Sequence, residues 1–168
     1  MFFSVLATSN DFTFTVARLV LGVTFFLHGA QKVLGWFDGA GFHGSTGSLL
    51  QMGIPEPLAV FAIAVEFFGG LGLILGLFTR IAALGIIANM LVAITRVHSD
   101  NGFFMNWSGG QNGEGFEYHL LAIGLAVVLL IKGSGAFSID ERIAWRWRKP
   151  RKPVGRWSVA QPKSSENA

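Results

Sequence analysis

The sequence contains no cysteine among its 168 residues. This absence excludes disulfide bonds, thiolate nucleophiles and cysteine-ligated iron–sulfur or zinc sites within the chain. Charged residues are also scarce, at 14% of the chain, against roughly 25% in typical soluble domains. So little charge argues against a disordered protein. It also leaves too little polar surface to cover the core of an ordinary soluble enzyme.

Hydrophobic residues make up 51% of the chain, and most of them fall in four long runs. Each run approaches the ~17–25 residues that a membrane-spanning helix needs. None alternates apolar and polar residues as a spanning strand would. We therefore predict an all-α membrane protein, a bundle of four transmembrane helices. The predicted helices cover residues 12–34, 57–78, 81–97 and 116–131.

Lysine and arginine are distributed unevenly, and this predicts the topology. Residues 132–168 contain nine Lys/Arg and three Asp/Glu, whereas residues 1–131 contain four and seven. Arg80 lies in the short turn between the second and third helices, and the two longer loops contain no lysine or arginine. Because basic residues accumulate on the cytoplasmic side, both termini are predicted to be cytoplasmic. We place the transmembrane domain at 1–133 and a basic Trp/Arg-rich tail at 134–168.

The tail interleaves tryptophan with basic residues, a pattern with two interpretations. Nucleic-acid proteins mix basic and aromatic residues in this way, but a segment next to a membrane is attracted to anionic headgroups. We favour the membrane interpretation and predict no nucleic-acid partner. The residues that carry the pattern are Trp145, Trp147 and Trp157 with Arg146, Arg148, Lys149, Arg151, Lys152 and Arg156.

Ionisable side chains inside spanning helices are costly and by default mark function or pairing. Arg18 in the first helix and Glu66 in the second are the most deeply placed. From the helical rise of ~1.5 Å per residue, the two lie at depths that an arginine side chain can bridge. We predict a buried structural ion pair between Arg18 and Glu66.

Polar residues collect in the half of the bundle away from the termini. This predicts one polar pocket that opens toward the non-cytoplasmic side. A haem held by two histidines, or a metal held by two histidines and Glu117, is an alternative, but so few ligands are a weak pattern and we predict no metal. The pocket candidates are His28, Lys32, Glu66, Arg96, Glu117 and His119; His98 and Tyr118 lie in the same half, and Asn89 shares a helix face with Arg96.

Glycines recur on the faces that carry these polar residues. Small residues let two spanning helices approach closely. We therefore predict helix packing at Gly22 and Gly29 of the first helix and at Gly69, Gly70 and Gly76 of the second.

Three segments together resemble the DoxX family of small membrane proteins. They are GVTFFLHGAQKVLGW in the first helix, EFFGGLGLILGLFTR in the second helix and its turn, and GFEYHLL before the fourth. The resemblance covers about residues 12–133. It implies a four-helix, multi-pass protein of a bacterial-type inner (plasma) membrane. The positions that match the family pattern are Arg18, Gly22, His28, Gly29, Lys32, Glu66, Gly69, Gly72, Gly76, Thr79, Arg80 and Glu117.

The resemblance also implies a function, because the family takes its name from a small subunit of a thiosulfate:quinone oxidoreductase. We expect a small subunit or accessory factor of a quinone-linked redox system, with the bilayer and a membrane or peripheral redox protein as partners. A cysteine persulfide relay is excluded, whereas a quinone is compatible. His28 and Lys32 would be its donors, and an apolar wall would come from Phe25, Phe26, Phe67 and Phe68.

Two other functions are considered. The first is a non-catalytic assembly or scaffold protein, whose glycine faces dock larger membrane partners. The second is a small transporter. It is supported only by a weak internal similarity between the two helical hairpins, each of which has a loop followed by a glutamate, Glu66 or Glu117.

Overall fold

The computed structural model describes residues 10–147. The predicted tail residues Arg148, Lys149, Arg151, Lys152, Arg156 and Trp157 lie outside the described residues. Within residues 10–147 the chain forms six helices and no strand. The helices are α1 (Phe12–Leu34), α2 (Gly41–Gln51), α3 (Glu56–Leu75), α4 (Thr79–Asn101), α5 (Glu117–Lys132) and α6 (Ile139–Trp147).

Three of these helices, α1, α3 and α4, are long and apolar enough to cross a membrane. The all-helical class and these spans confirm the coarse prediction. Helix α5 has 16 residues and is about 24 Å long at ~1.5 Å per residue, less than the ~30 Å of a bilayer core. The fourth span, the cytoplasmic termini and the domain boundary at residue 133 remain predictions.

Helix α1 has the bounds that the sequence predicts, because local chemistry ends it on both sides. The side chain of Asp11 accepts a hydrogen bond of 2.8 Å from the backbone N–H of Thr13. This bond satisfies a free helix donor and lowers the pKa of Asp11. At the other end Gly35 adopts a left-handed conformation, with φ of 71°, which closes the last turn.

The bundle keeps a compact interior and presents apolar side chains to its surroundings. The interior contains Leu21, Phe25, Leu73, Ile86 and Leu129, all buried. The exposed face of the same helices is also apolar, as expected of helices surrounded by lipid. Exposed large hydrophobic residues include Leu19, Val20, Val23, Leu27, Leu58, Phe61, Leu84, Leu91, Leu120, Leu121 and Ile131.

The segment after α5 folds back over the end of the bundle where α3 meets α4. The hydroxyl of Thr15 donates to the carbonyl of Ala136 at 2.7 Å. The buried carboxylate of Asp140 accepts hydrogen bonds from the backbone N–H groups of Phe78 and Thr79, at 2.8 and 3.0 Å. Asp140 therefore caps the start of α4 from a distant part of the chain. We call residues 133–140 the latch.

Candidate functional site

Helices α1 and α3 run antiparallel in close contact, and glycines fix their register. A Cβ atom on Gly22 would lie 2.9 Å from the backbone nitrogen of Ile74. One on Gly29 would lie 2.5 Å from the Cα of Phe67. One on Gly70 would lie 2.8 Å from the Cα of Phe26, midway between these two contacts. Moving one residue forward along α1 therefore corresponds to moving one residue backward along α3.

This register decides the partner of Glu66. Glu66 lies level with Ala30, two residues or about 3 Å from Lys32 and twelve residues or about 18 Å from Arg18. The Nζ atom of Lys32 lies 2.6 Å from Oε1 and 2.5 Å from Oε2 of Glu66. The predicted Arg18–Glu66 ion pair is wrong, because the close glycine contacts shift α1 along α3 by about two turns relative to the depths estimated from the helix ends.

Arg18 is buried among carbonyl groups at the end of α3. Its guanidinium donates to the carbonyls of Leu73 and Ile74 at 2.7 and 3.0 Å and to that of Phe137 at 3.5 Å. Leu73 and Ile74 belong to the last turn of α3, where carbonyls remain free to accept further donors, and the carbonyl of Leu73 also accepts the backbone N–H of Gly76 at 3.1 Å. The negative charge of Asp140 also acts on Arg18. Arg18 thus holds the latch rather than the polar pocket.

Glu66 lies in a π-helical segment of α3, Val65–Gly69. A second π-helical segment, Ile94–His98, interrupts α4. Such segments are rare and recur at functional sites. The amide of Asn89, also buried in α4, donates to Oε1 of Glu66 at 3.3 Å. The side chain of Glu66 is only 8% exposed, so Lys32 and Asn89 together satisfy a carboxylate that water barely reaches.

The start of α5 places aromatic and imidazole rings in the same part of the bundle as this carboxylate. Tyr118 lies near enough for the charge of Glu66 to act on it, and the ring centroids of Tyr118 and His28 are 6.4 Å apart. His119 lies 5.5 Å from Tyr118 and 4.2 Å from His98 between ring centroids. We call this group the polar cluster: His28, Lys32, Glu66, Asn89, His98, Tyr118 and His119.

Two buried polar atoms of the polar cluster have no hydrogen-bond partner among residues 10–147. They are the hydroxyl oxygen of Tyr118 and the Nδ1 atom of His119. A buried donor without a partner costs about 1–3 kcal/mol, so such atoms are rare in folded proteins. Both belong to the same turn of α5. The polar cluster therefore has hydrogen-bonding capacity that the described chain does not use.

Four of the six pocket candidates lie in the polar cluster, and two do not. Arg96 is exposed, and Glu117 turns to the loop, where its carboxylate accepts a hydrogen bond from the backbone N–H of Met105 at 3.3 Å. The sequence placed His98 and Tyr118 in the same half of the bundle and Asn89 on the face of Arg96, but none of the three was among the predicted pocket residues. A polar residue inside an apolar helix was the available signal for Asn89, and the adjacent rings of α5 for Tyr118.

The predicted aromatic wall is split in the structure. Phe25 is buried in the core, whereas Phe68 is 66% exposed. Phe26 and Phe67 remain together, with ring centroids 5.3 Å apart. Within residues 10–147 no group of three or more His, Asp or Glu side chains is arranged to hold a metal ion. The absence of a metal site stays a prediction.

The predicted packing glycines have different roles. Gly22, Gly29 and Gly70 form the α1–α3 contact inside the chain. A Cβ atom on Gly69 would make only ordinary contacts, at 3.7 Å to Val65 and 3.9 Å to Ala82. Gly76 ends α3 in a left-handed conformation, with φ of 65°.

We expect Gly29→Ala to lower the free energy of unfolding by about 2 kcal/mol, because its methyl group would overlap the backbone of Phe67 and overpacking costs about 1–3 kcal/mol. Gly69→Ala is the matched control and should change stability by less than about 0.5 kcal/mol. Unfolding in mild detergent micelles measures both. Equal effects of the two substitutions would contradict the register described above.

Comparison with known proteins identifies the family. The DoxX family model matches residues 13–99, which include α1, α3 and the Lys32–Glu66 pair. The chain belongs to the DoxX family. The inner membrane protein YqjF of Escherichia coli is 30% identical over 82% of the chain and 97% of its own length. This DoxX protein therefore aligns with a relative over nearly the whole of that relative.

Two further relatives of this DoxX protein share slightly lower identity with it than YqjF does. The inner membrane protein YphA of Escherichia coli is 28% identical over 76% of the chain and 87% of its own length. The protein named putative oxidoreductase CatD of Bacillus subtilis is 29% identical over 73% of the chain and 81% of its own length. No solved structure matches. The family assignment and the inner-membrane location predicted from the sequence are confirmed.

Proposed function

We propose that this DoxX protein is a small subunit or accessory factor of a quinone-linked redox system and that the polar cluster binds the quinone headgroup. The observation that carries the proposal is the pair of buried, unused polar atoms, the Tyr118 hydroxyl and His119 Nδ1. A quinone presents carbonyl oxygens, and the Tyr118 O–H would donate to one of them. The name of the Bacillus subtilis relative, a putative oxidoreductase, supports redox chemistry as the class.

The other residues of this region also suit a quinone headgroup, which has polar carbonyl groups and apolar ring edges. The Lys32–Glu66 pair lies within electrostatic range of Tyr118 and holds a positive and a negative charge in place without net charge. The Phe26–Phe67 pair lies on the same two helices and would provide apolar contact. A bound quinone would supply reversible two-electron, two-proton chemistry. The chain would supply hydrogen bonds from Tyr118 and His119 and a protein partner would supply the electrons.

We also propose that α5 is the fourth span and that both termini are cytoplasmic. Helix α5 carries exposed apolar residues such as Leu120, Leu121 and Ile131, and a short span is accommodated by local thinning of the bilayer.

Because the chain has no cysteine, single introduced cysteines report the topology without background labelling. In intact cells, an impermeant maleimide should label Asp38→Cys and Asp100→Cys but not Arg142→Cys. The reverse pattern would invert the topology.

A non-catalytic scaffold is the alternative, and it would need glycine faces free for larger partners. Gly22, Gly29 and Gly70 are in contact within the chain, so no observation favours that function here. The scaffold hypothesis also predicts that substitutions in the polar cluster do not affect the binding of small molecules.

Tyr118→Phe separates a ligand-binding role from a structural one. Since the hydroxyl has no partner within residues 10–147, its removal should not lower the free energy of unfolding of the ligand-free protein and should raise it by up to about 1–3 kcal/mol. Binding of a short-chain ubiquinone should weaken roughly three- to tenfold, the value of one hydrogen bond. Quenching of tryptophan fluorescence by the quinone, in detergent-solubilised full-length protein, measures the affinity.

Thr24→Val is the matched control. It also removes one hydroxyl from a helix, but that hydroxyl donates to the carbonyl of Val20 within α1 and lies outside the polar cluster. We expect Thr24→Val to bind the quinone as the unmodified protein does. The proposal fails if the unmodified protein binds no ubiquinone, or if Tyr118→Phe and Thr24→Val bind it equally.

A further inference from the structure

Helix α6 begins at the end of two membrane-spanning helices and is held there. The backbone N–H of Asp140, in its first turn, donates to the carbonyl of Gly76 at 2.9 Å. Its carboxylate accepts from Phe78 and Thr79. These three residues form the turn between α3 and α4, and α3 and α4 are both candidate spans. The start of α6 is therefore fixed at the boundary of the membrane.

The first turn of α6 is anchored to the bundle through Asp140, and the face opposite Asp140 is basic and aromatic. Asp140 is buried, whereas Arg142, Trp145 and Arg146 are exposed. Residues three and four apart share a helix face, so Arg142 lies beside both Trp145 and Arg146. The indole of Trp145 is 74% exposed. These three side chains and Glu141 line one shallow surface depression.

A second exposed aromatic ring lies just before α6. Phe137 has a left-handed backbone, with φ of 53°, and is 79% exposed. That conformation costs a bulky residue roughly 1–2 kcal/mol. Its carbonyl accepts a hydrogen bond from Arg18, and its neighbours Ala136 and Ser138 are buried. The latch thus holds Phe137 in the conformation that turns its ring away from the protein.

We propose that α6 lies in the headgroup layer of the leaflet that adjoins the α3–α4 turn, with its exposed face bound to anionic phospholipid. Guanidinium groups form paired, charge-assisted hydrogen bonds with phosphate, and tryptophan is enriched at this depth of a membrane. Arg142 and Arg146 bind the phosphate groups. Trp145 and Phe137 insert at the boundary with the acyl chains, which gives their exposed rings an apolar environment.

The position of the exposed face of α6 at the membrane boundary favours lipid as its binding partner. Helix α6 cannot leave the membrane boundary while Asp140 holds it to the turn, and anionic lipid is the most abundant negatively charged partner there. Each basic residue near an anionic surface contributes about a fivefold preference, so two arginines contribute roughly thirtyfold. The inference is independent of any ligand at the polar cluster, which lies near the other end of the bundle.

The test uses the full-length chain in nanodiscs of phosphatidylcholine mixed with phosphatidylglycerol. Native mass spectrometry of the released protein counts the lipids that stay bound. We expect the unmodified protein to retain phosphatidylglycerol preferentially. The double variant Arg142→Gln/Arg146→Gln should lose that preference by roughly thirtyfold. The variant Arg142→Lys/Arg146→Lys, which keeps both charges, should retain most of it. All four substitutions are at exposed side chains, so folding is preserved.

A nitroxide label measures the depth of the latch in the same nanodiscs. Because the chain lacks cysteine, Phe137→Cys carries a single label, and Asp100→Cys is the matched control in an exposed turn at the other end of α4. The label at 137 should collide more with oxygen than with a water-soluble nickel chelate, and the label at 100 should do the opposite. Equal accessibility at both positions would overturn the proposal. So would an unchanged lipid preference, or the loss of a co-purifying protein instead of lipid, in the Gln variant.

Discussion

We expect Lys32→Met to lower the free energy of unfolding by about 3 kcal/mol, because it leaves the buried carboxylate of Glu66 without its cation. The side chain of Glu66 is 8% exposed, whereas that of Lys32 is 33% exposed. The two single substitutions should therefore differ. After Glu66→Gln the ammonium group of Lys32 still reaches the polar boundary of the membrane, and the loss should be about 1 kcal/mol.

A double-mutant cycle in mild detergent or bicelles provides the measurement. The double variant Lys32→Met/Glu66→Gln should be more stable than the sum of the two single losses predicts, by about 1–2 kcal/mol. The matched cycle between Arg18 and Glu66 should show coupling below about 0.5 kcal/mol. Strong coupling of Glu66 to Arg18, with none to Lys32, would refute the register between α1 and α3.

The limits of sequence prediction are visible at this ion pair. The sequence predicts that the intramembrane charges are paired, because an unpaired one is costly. It does not predict which residues pair, since the choice depends on how far α1 slides along α3. That displacement is set where Gly22, Gly29 and Gly70 admit a neighbouring backbone. The glycines are visible in the sequence, but the match of each one to its partner position is a tertiary property.

Helix boundaries show the same division between local and tertiary causes. The bounds of α1 are predictable because Asp11 and Gly35 end it through local hydrogen bonds. Helix α2 was not predicted, because five of its 11 residues are glycine or serine and such residues are weak helix formers. Helix α6 had a signal that was overlooked: acidic Asp140 and Glu141 in its first turn and basic Arg146 in its last.

The polar cluster was predicted in location but only partly in composition. The prediction of a polar site away from the termini rests on residue counts along four helices. The π-helical segments around Glu66 and His98 are invisible to a helical wheel, because they add a residue to a turn and rotate everything beyond it. Asn89 precedes the second π-helical segment and joins the polar cluster, whereas Arg96, assigned from a regular wheel, lies within that segment and is exposed.

The latch gives the second large effect, and Arg18 is its centre. We expect Arg18→Gln to lower the free energy of unfolding by about 4 kcal/mol. Arg18 is 2% exposed, and its guanidinium donates to two carbonyls of α3 and one of the latch. Its loss also leaves the buried carboxylate of Asp140 without the nearby positive charge. Chemical denaturation in mild detergent measures the stability.

A local readout distinguishes the latch from the bundle as a whole. If Arg18 holds the latch, Arg18→Gln should speed tryptic cleavage at Arg142 and Arg146 before α1 and α3 lose hydrogen-exchange protection. Asp140→Asn should produce the same order of events with a smaller loss of about 1–2 kcal/mol, because an amide oxygen still accepts one of the two backbone hydrogen bonds at the start of α4. Cleavage and loss of protection at the same time would mean that Arg18 supports the bundle directly. In the expected order, the bundle stays folded while α6 is released, so the membrane boundary and the polar cluster are stabilised by separate sets of contacts.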